Sequence, residues 1–175
     1  MLRRTWKCQK MIVFAAVFAL LFFTACSASG PRFHETLYAT QSAPADKARI
    51  IFFRLYDFVG SLRTVPIDID GKTVARLGYN GFATVDIVPG EHEIASSIWD
   101  IPGRFAMNIK IEDGQIYYIQ VSPRKEDMKH AWLASFGLIG GLIAVSMQDK
   151  DGPFILEPVE AEKAIPLLTE LKLSD

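Results

Sequence analysis

Apolar and polar residues alternate through much of the chain between residues 48 and 123, a pattern typical of β-strands with one buried face. The alternation is clearest in VPIDID (65–70) and in FAMNIKIE (105–112), where Phe105 and every second residue after it are predicted to point inward. RIIFFRLY (49–56) is apolar on both faces, which indicates a central strand. Strands are predicted at 49–56, 65–70, 73–77, 82–88, 92–99, 105–112 and 116–122. These short strands, with turn signals between them, predict a small antiparallel β-sandwich.

The turn residues agree with this alternation. Asp70-Gly71 and Asp113-Gly114 each predict a hairpin, because both central residues of a type I′ turn need positive φ. Pro89-Gly90 predicts a third turn, after which 92–99 is expected to pair back onto 82–88. Pro66 has no N–H to donate, so its strand is expected to lie at a sheet edge or to begin there.

The C-terminal part has a different pattern. FILEPV (154–159) predicts an eighth strand, and 160–173 predicts a short amphipathic helix that Pro166 kinks or breaks. Before them, residues 131–147 carry no charge, and on a helix Gly137 and Gly141 would lie on one stripe of small residues. Three arrangements stay open: packing on the sandwich as a helix or irregular hairpin, insertion into a bilayer, or a seam between copies of the chain. The segment is shorter than the ~20 apolar residues of a membrane span.

The N-terminus reads as a targeting signal. Four basic residues and no acidic one precede an apolar run at 11–23, which predicts a signal peptide at 1–25. Phe23-Thr24-Ala25-Cys26 resembles a bacterial lipobox, which implies cleavage before Cys26 and attachment of lipid to it. The alternative is a plain signal peptide whose Cys has no special role. In Gram-negative lipoproteins, an Asp directly after the lipidated Cys usually means retention in the inner membrane. This chain has Ser27 at that position. By resemblance to that sorting rule, Ser27 implies an outer-membrane lipoprotein facing the periplasm.

Removal of 1–25 leaves 15 Lys and Arg against 20 Asp and Glu, a net charge of −5. This acidic balance gives no electrostatic footprint for nucleic acid. The predicted partners are the membrane, through lipid on Cys26, and an envelope protein or a second copy of the chain. With Cys8 removed and Cys26 lipidated, no disulfide is expected, and the fold must depend on packing. Residues 26–47 are rich in Ser, Ala, Thr and Pro and predict a flexible tether, unless 33–38 packs on the domain as a short strand or turn.

These observations divide the chain into five parts. They are a signal peptide (1–25), a lipidated Cys and tether (26–47), a β-sandwich domain (48–123), an apolar Gly-rich segment (124–153) and a final strand and helix (154–175).

One stretch, IDIDGKTVARLGYNGFATVDIVPGEHEI (67–94), resembles a family of bacterial lipoprotein domains of unknown function and the PEGA-type modules of envelope proteins. The matching positions are Asp70, Gly71, Lys72, Gly81, Pro89, Gly90 and His92. The resemblance implies a small transthyretin-like or immunoglobulin-like sandwich with no assigned activity.

Catalytic chemistry has little support in the sequence. The three His, at 34, 92 and 130, share no metal-ligand spacing, and no pattern frames a Ser nucleophile, so no catalytic, metal or cofactor residue is predicted. Asp68 and Asp70 alternate on one strand, which is typical of a solvated face. Trp99 and Phe105, on either side of Pro102-Gly103, are predicted to form a contact surface; the alternative is that both cap the core.

The sequence therefore predicts a non-catalytic, lipid-anchored envelope module that contacts a protein partner. Two alternatives remain. One is a ligand carrier or enzyme with a dispersed site, in a pocket lined by His92, Asp68 or Tyr118. The other is a membrane-active protein that uses residues 131–147.

Overall fold

The computed structural model describes residues 27–57, 63–124, 143–150 and 152–174, and for 143–150 it describes the backbone alone. In these residues the chain forms ten strands, one α-helix and two short 3-10 turns, at Phe33–Glu35 and Leu37–Ala39. The strands are β1 (Ala48–Arg54), β2 (Val65–Ile69), β3 (Lys72–Leu77), β4 (Gly81–Ile87), β5 (Gly90–Ile98), β6 (Ile101–Ile111), β7 (Ile116–Pro123), β8 (Ile143–Lys150), β9 (Phe154–Val159) and β10 (Lys172–Leu173); the helix, α1, is Ala161–Leu168.

The strands form two five-stranded sheets, so the predicted mainly β sandwich is confirmed. The first sheet has the order β10-β4-β1-β7-β9, and the second has the order β3-β2-β5-β6-β8. All ladders of the second sheet are antiparallel, whereas in the first sheet β7 and β10 run parallel to their neighbours β1 and β4. The first sheet is therefore mixed.

The core lies between the two sheets, where inward side chains alternate as the sequence pattern requires. In β7 every second residue is buried, including Tyr117, Ile119 and Val121. β1 is buried at every position and lies at the centre of its sheet, as predicted from its uninterrupted apolar run. Its two faces serve different clusters, because Phe52 packs between the sheets while Phe53 packs outward beneath α1.

The N-terminal segment packs on the domain over residues 28–38, and for that part the prediction of a flexible tether over 26–47 is wrong. Phe33 is 4% exposed, and its ring meets Phe82 edge to face at 5.2 Å. The Gly30 N–H donates to the Leu173 carbonyl at 3.0 Å, and the Phe33 N–H donates to the Leu171 carbonyl at 2.9 Å. One aromatic anchor and a few backbone hydrogen bonds outweigh the Ser- and Pro-rich composition, and the packed alternative considered for 33–38 is what forms.

Two of the three predicted hairpins are wrong. Asp70 and Gly71 have φ of 51° and 77° and join β2 to its partner β3, as a type I′ turn requires. The turns at Pro89-Gly90 and Asp113-Gly114 instead carry the chain from one sheet to the other, because β5 pairs with β2 and β6 rather than with β4. A turn signal reports that the chain reverses, but it does not report which strand lies alongside.

Pro66 lies at the start of its strand but not in an edge strand. β2 is enclosed by β3 and β5, and its ladder to β5 begins only at Ile67. Pro66 therefore lies outside that ladder, where its missing N–H costs no hydrogen bond to β5.

The C-terminal expectations are partly confirmed. β9 matches the predicted strand, and α1 covers the first half of the predicted helix with Pro166 inside it, whereas Lys172 and Leu173 form a strand. Residues 143–147 of the apolar segment belong to β8 and pair with β6, so the helical arrangement is wrong for that part. Cys26, Gly137, Gly141 and the stretch 125–142 lie outside the described residues. Among the described residues, no helix is long and apolar enough to cross a membrane.

Candidate contact surface at the Trp99 end

One end of the sandwich collects the features that stand out, and we call it the Trp99 end. It is the end at which β1 finishes and β4 begins, since Arg54 pairs with Gly81. The second sheet reaches the same end, because Nη1 of Arg54 donates to the Arg63 carbonyl at 2.7 Å, and Arg63 lies just before β2. Its guanidinium also lies over the Phe154 ring at 4.8 Å. A fully buried guanidinium therefore ties the two sheets together here.

Trp99 protrudes from this end. It occupies a two-residue turn with Asp100 between β5 and β6, where Ile98 pairs with Ile101. Its side chain is 95% exposed, the highest fraction among the exposed large apolar residues that the structure describes. The Asp100 carboxylate forms an ion pair with Arg63, two residues before β2, which ties the turn to the start of that strand. Trp99 is therefore exposed and does not cap the core, whereas its contact with a partner stays a prediction.

Phe105 does not share this surface, and its assignment to it is wrong. It is 1% exposed and packs between the sheets with Met107 and Ile109 on the inward face of β6. The ladder between β5 and β6 is irregular between Ser96 and Ile98, so the hairpin tip departs from the regular alternation that buries Phe105. The alternative in which both aromatics cap the core therefore holds for Phe105 and fails for Trp99.

A cleft of about 520 Å³ lies beside Trp99 on the outer face of the second sheet. Its lining combines two guanidinium groups, a carboxylate, hydroxyl groups and an indole, from Arg63, Asp68, Thr73, Arg76, Ser97 and Trp99 among others. The Thr73 hydroxyl donates to the Asp68 carboxylate at 2.6 Å, which holds that carboxylate at the cleft wall. Small-molecule pockets are mostly apolar, so this polar lining is better suited to a hydrogen-bonding polar segment.

The same outer face carries a further ion pair, between Arg104 of β6 and Glu93 of β5. The hydrogen bond to Glu93 raises the pKa of Arg104 above its ordinary value, and the nearby Asp68 carboxylate adds to the effect. Charges of both signs therefore lie close together on this face, which favours a partner with an equally mixed surface.

The N-terminal segment also reaches the Trp99 end. Ser27 forms a bridge with Tyr79, and the Ala28 N–H donates to the Tyr79 carbonyl at 3.4 Å. The Tyr79 ring meets Tyr56 edge to face at 5.9 Å, and Tyr56 is itself 62% exposed. Gly81 permits this approach, because a Cβ there would lie 2.8 Å from the Cβ of Ala28. Cys26, outside the described residues, is one peptide bond from this contact.

The opposite end contains most of the residues that carried the family resemblance, which are Asp70, Gly71, Lys72, Pro89, Gly90 and His92, whereas Gly81 lies at the Trp99 end. His92 Nδ1 lies 2.7 Å from a carboxylate oxygen of Asp70, and its Nε2 lies 2.9 Å from the Val88 carbonyl oxygen. The other Asp70 oxygen accepts from the Glu93 N–H at 3.0 Å. The hydrogen bond with His92 lowers the pKa of Asp70. These contacts fasten the β2–β3 turn to β5, which is a structural role.

The residues predicted to line a dispersed site are not brought together. Asp68 lines the cleft, His92 lies at the far end, and Tyr118 lies on the outer face of the first sheet, where burial raises its pKa. In the described part of the chain, no group of three or more His, Cys, Asp or Glu is arranged to hold a metal ion.

A second, smaller cavity of about 300 Å³ lies on the first sheet, lined by Tyr56, Gln120, Ser122 and Glu157 among others. Burial raises the pKa of Glu157 in this wall. Sequence reasoning missed both cavities and the Tyr56–Tyr79 contact, because each is built from residues far apart in the chain. The exposed position of Trp99 had one usable signal, its place between two predicted strands.

Neither a protein-family model, nor a curated protein, nor a solved structure matches this chain.

Proposed function

We propose that this chain is a lipid-anchored protein of the bacterial cell envelope, more specifically of the outer membrane facing the periplasm. Its β-sandwich acts as a non-catalytic module that binds a protein partner. The lipobox-like Phe23-Thr24-Ala25-Cys26 supports the anchor. The observation that carries the binding role is the exposed strand β3, which ends the second sheet beside the polar cleft.

β3 is suited to strand addition. Within the described residues no strand pairs with its outer edge, and five of its six residues are exposed or half-buried. An extended segment laid along that edge gains main-chain hydrogen bonds, which supply affinity without a fixed sequence. Lys72 and Arg76 place charge on the edge, which protects it from indiscriminate pairing with other strands.

Specificity would come from the cleft next to this edge. Thr73 and Arg76 belong to β3 itself, whereas Asp68 belongs to β2 and Ser97 to β5. A partner paired with β3 can therefore place side chains or a loop across three strands. The paired charges of this face would reject partners of uniform charge, because a like charge set against them is unfavourable.

A ligand carrier is the second candidate, and the volume of the cleft, rather than its polar lining, is the observation that favours it. Its volume of about 520 Å³ lies within the range of small-molecule sites. The two candidates differ in what is bound to the protein after purification from cells. A carrier retains a small molecule, and a protein-binding module does not.

Photo-crosslinking in cells tests the proposal. A photoreactive amino acid replaces Arg76, at the cleft, in the natively lipidated protein, and a matched control carries it at Glu162, which is exposed on α1 beyond the first sheet. We expect the Arg76 position to capture one defined envelope protein that the Glu162 position does not capture. Equal capture at both positions, or none at either, contradicts the proposed binding face.

A further inference from the structure

We propose that the Trp99 end of the sandwich rests directly on the bilayer surface, with Trp99 and Tyr56 in the headgroup region. This inference rests on the proposed lipidation of Cys26, and it adds a second membrane contact and a fixed orientation of the domain.

The first argument is the position of the anchor. Ser27 is bridged to Tyr79, and Ala28 is 7% exposed, so the domain begins immediately after Cys26. A single residue spans at most about 3.6 Å, which leaves no room for the domain to stand away from its lipid. The part of the sandwich around Tyr79 must therefore lie next to the membrane.

The second argument is that Trp99 and Tyr56 lie at that same end. Tyr56 follows β1 by two residues and touches Tyr79, which precedes β4 by two residues. Trp99 is linked to them through a continuous set of contacts, because Asp100 pairs with Arg63 and the Arg63 carbonyl accepts from Arg54. The anchor point and both exposed aromatics thus share one end of the molecule.

The third argument is the chemistry of these side chains. Among the described residues, the exposed large apolar side chains are mostly aliphatic and scattered, and the two aromatic ones are Trp99 and Tyr56. Trp and Tyr concentrate at membrane–water interfaces, where the ring meets the apolar region and the N–H or O–H stays hydrated. A net charge of −5 for the chain after residue 25 gives no general attraction to anionic lipid, so the aromatic contact is the one that fixes orientation.

Tryptophan fluorescence tests the orientation. In the natively lipidated protein, Trp132→Phe leaves Trp99 as the one tryptophan after the signal segment. The protein is reconstituted in phosphatidylethanolamine–phosphatidylglycerol vesicles with or without phosphatidylcholine brominated on its acyl chains. The matched control moves the indole to position 88, by Trp99→Phe and Val88→Trp in the same background. Val88 is 57% exposed and follows β4 at the opposite end, about 20 Å from Gly81.

We expect the Trp99 emission to shift to shorter wavelength and to be quenched by the brominated lipid, whereas the Val88→Trp control emits as a hydrated indole and is not quenched. If the protein floats with the vesicles and Trp99 is not quenched, the orientation is overturned while the lipid anchor stands. If the protein carries no lipid and does not float, the proposed anchor itself fails, and this inference fails with it. Should Trp132→Phe fold poorly, the difference between the parent and its Trp99→Phe variant gives the same Trp99 signal.

Discussion

Phe33→Ala tests whether the N-terminal segment is part of the folded domain. Phe33 is 4% exposed and packs against Phe82 in the cluster beneath α1. Replacing a core Phe by Ala costs about 3–5 kcal/mol, of which an edge-to-face aromatic pair supplies about 0.5–1.5 kcal/mol. Because a terminal segment can detach while the sandwich stays folded, the loss is limited by the free energy with which this segment docks. We therefore expect about 3 kcal/mol, the lower end of that range.

The measurement is urea and thermal unfolding of the chain from residue 26 onward, made soluble by Cys26→Ser. For a chain of this size, each kcal/mol corresponds to about 2–4 °C in Tm, so a decrease of about 6–12 °C is expected. Leu37→Ala is the matched control, because Leu37 lies in the same segment but is 68% exposed. Its free energy of unfolding should change by less than about 0.5 kcal/mol. Equal effects of the two substitutions would refute the packing argument and restore a flexible tether.

Three further outcomes are expected, the first from the proposed lipidation of Cys26 and the other two from the structure. Cys26→Ser in the full chain should move the protein from the membrane fraction to the soluble fraction, as fractionation after palmitate labelling will show. Asp70→Asn should destabilise the protein modestly at neutral pH, because the hydrogen bond with His92 lowers the folded-state pKa of Asp70. The stability that this pair contributes is present above the unfolded pKa of about 3.9 and is lost as the pH falls through the folded pKa. A constant difference between the two proteins across a pH series of unfolding curves would contradict the role of this pair. Arg49→Lys should cost about 1.5–3 kcal/mol in urea unfolding, because Lys cannot make the two hydrogen bonds that Arg49 donates to Asp86 at 2.7 and 3.1 Å; a loss below about 0.5 kcal/mol would refute it.

The fold could be predicted from alternation wherever one face of a strand is buried. Phe105 shows this, because the inward alternation of 105–112 places it in the core, as observed, whereas the contact-surface hypothesis for Phe105 set that pattern aside. The exposure of Trp99 could not be predicted from alternation in the same way. It lies at a hairpin tip, where alternation stops, and its exposure depends on the irregular pairing between Ser96 and Ile98.

Strand pairing was the weakest prediction, for a physical reason. Asp113-Gly114 has the composition of a hairpin turn, yet Asp113 does not have the positive φ that a type I′ turn needs, and the chain crosses to the other sheet there. Residues 143–147 were ambiguous in a different way. A short apolar stretch fits a buried strand or a helix equally well, and only the partner strand β6 decides between them.

The orientation of the candidate contact surface relative to the membrane was least accessible to sequence reasoning, because it depends on where the N-terminal segment docks. Composition alone makes residues 27–47 a spacer, and a spacer would let the domain face any direction. Backbone hydrogen bonds from Gly30 and Phe33 to the carbonyl groups of Leu173 and Leu171 remove that freedom. These bonds need no particular side chain, and the buried ring of Phe33 is the one side-chain anchor that accompanies them. This docking changes what a lipid anchor would do. Lipid on Cys26 would retain the domain at the membrane and would also set which end of the domain faces the bilayer. The orientation would in turn set the height above the membrane at which β3 and its cleft meet a partner.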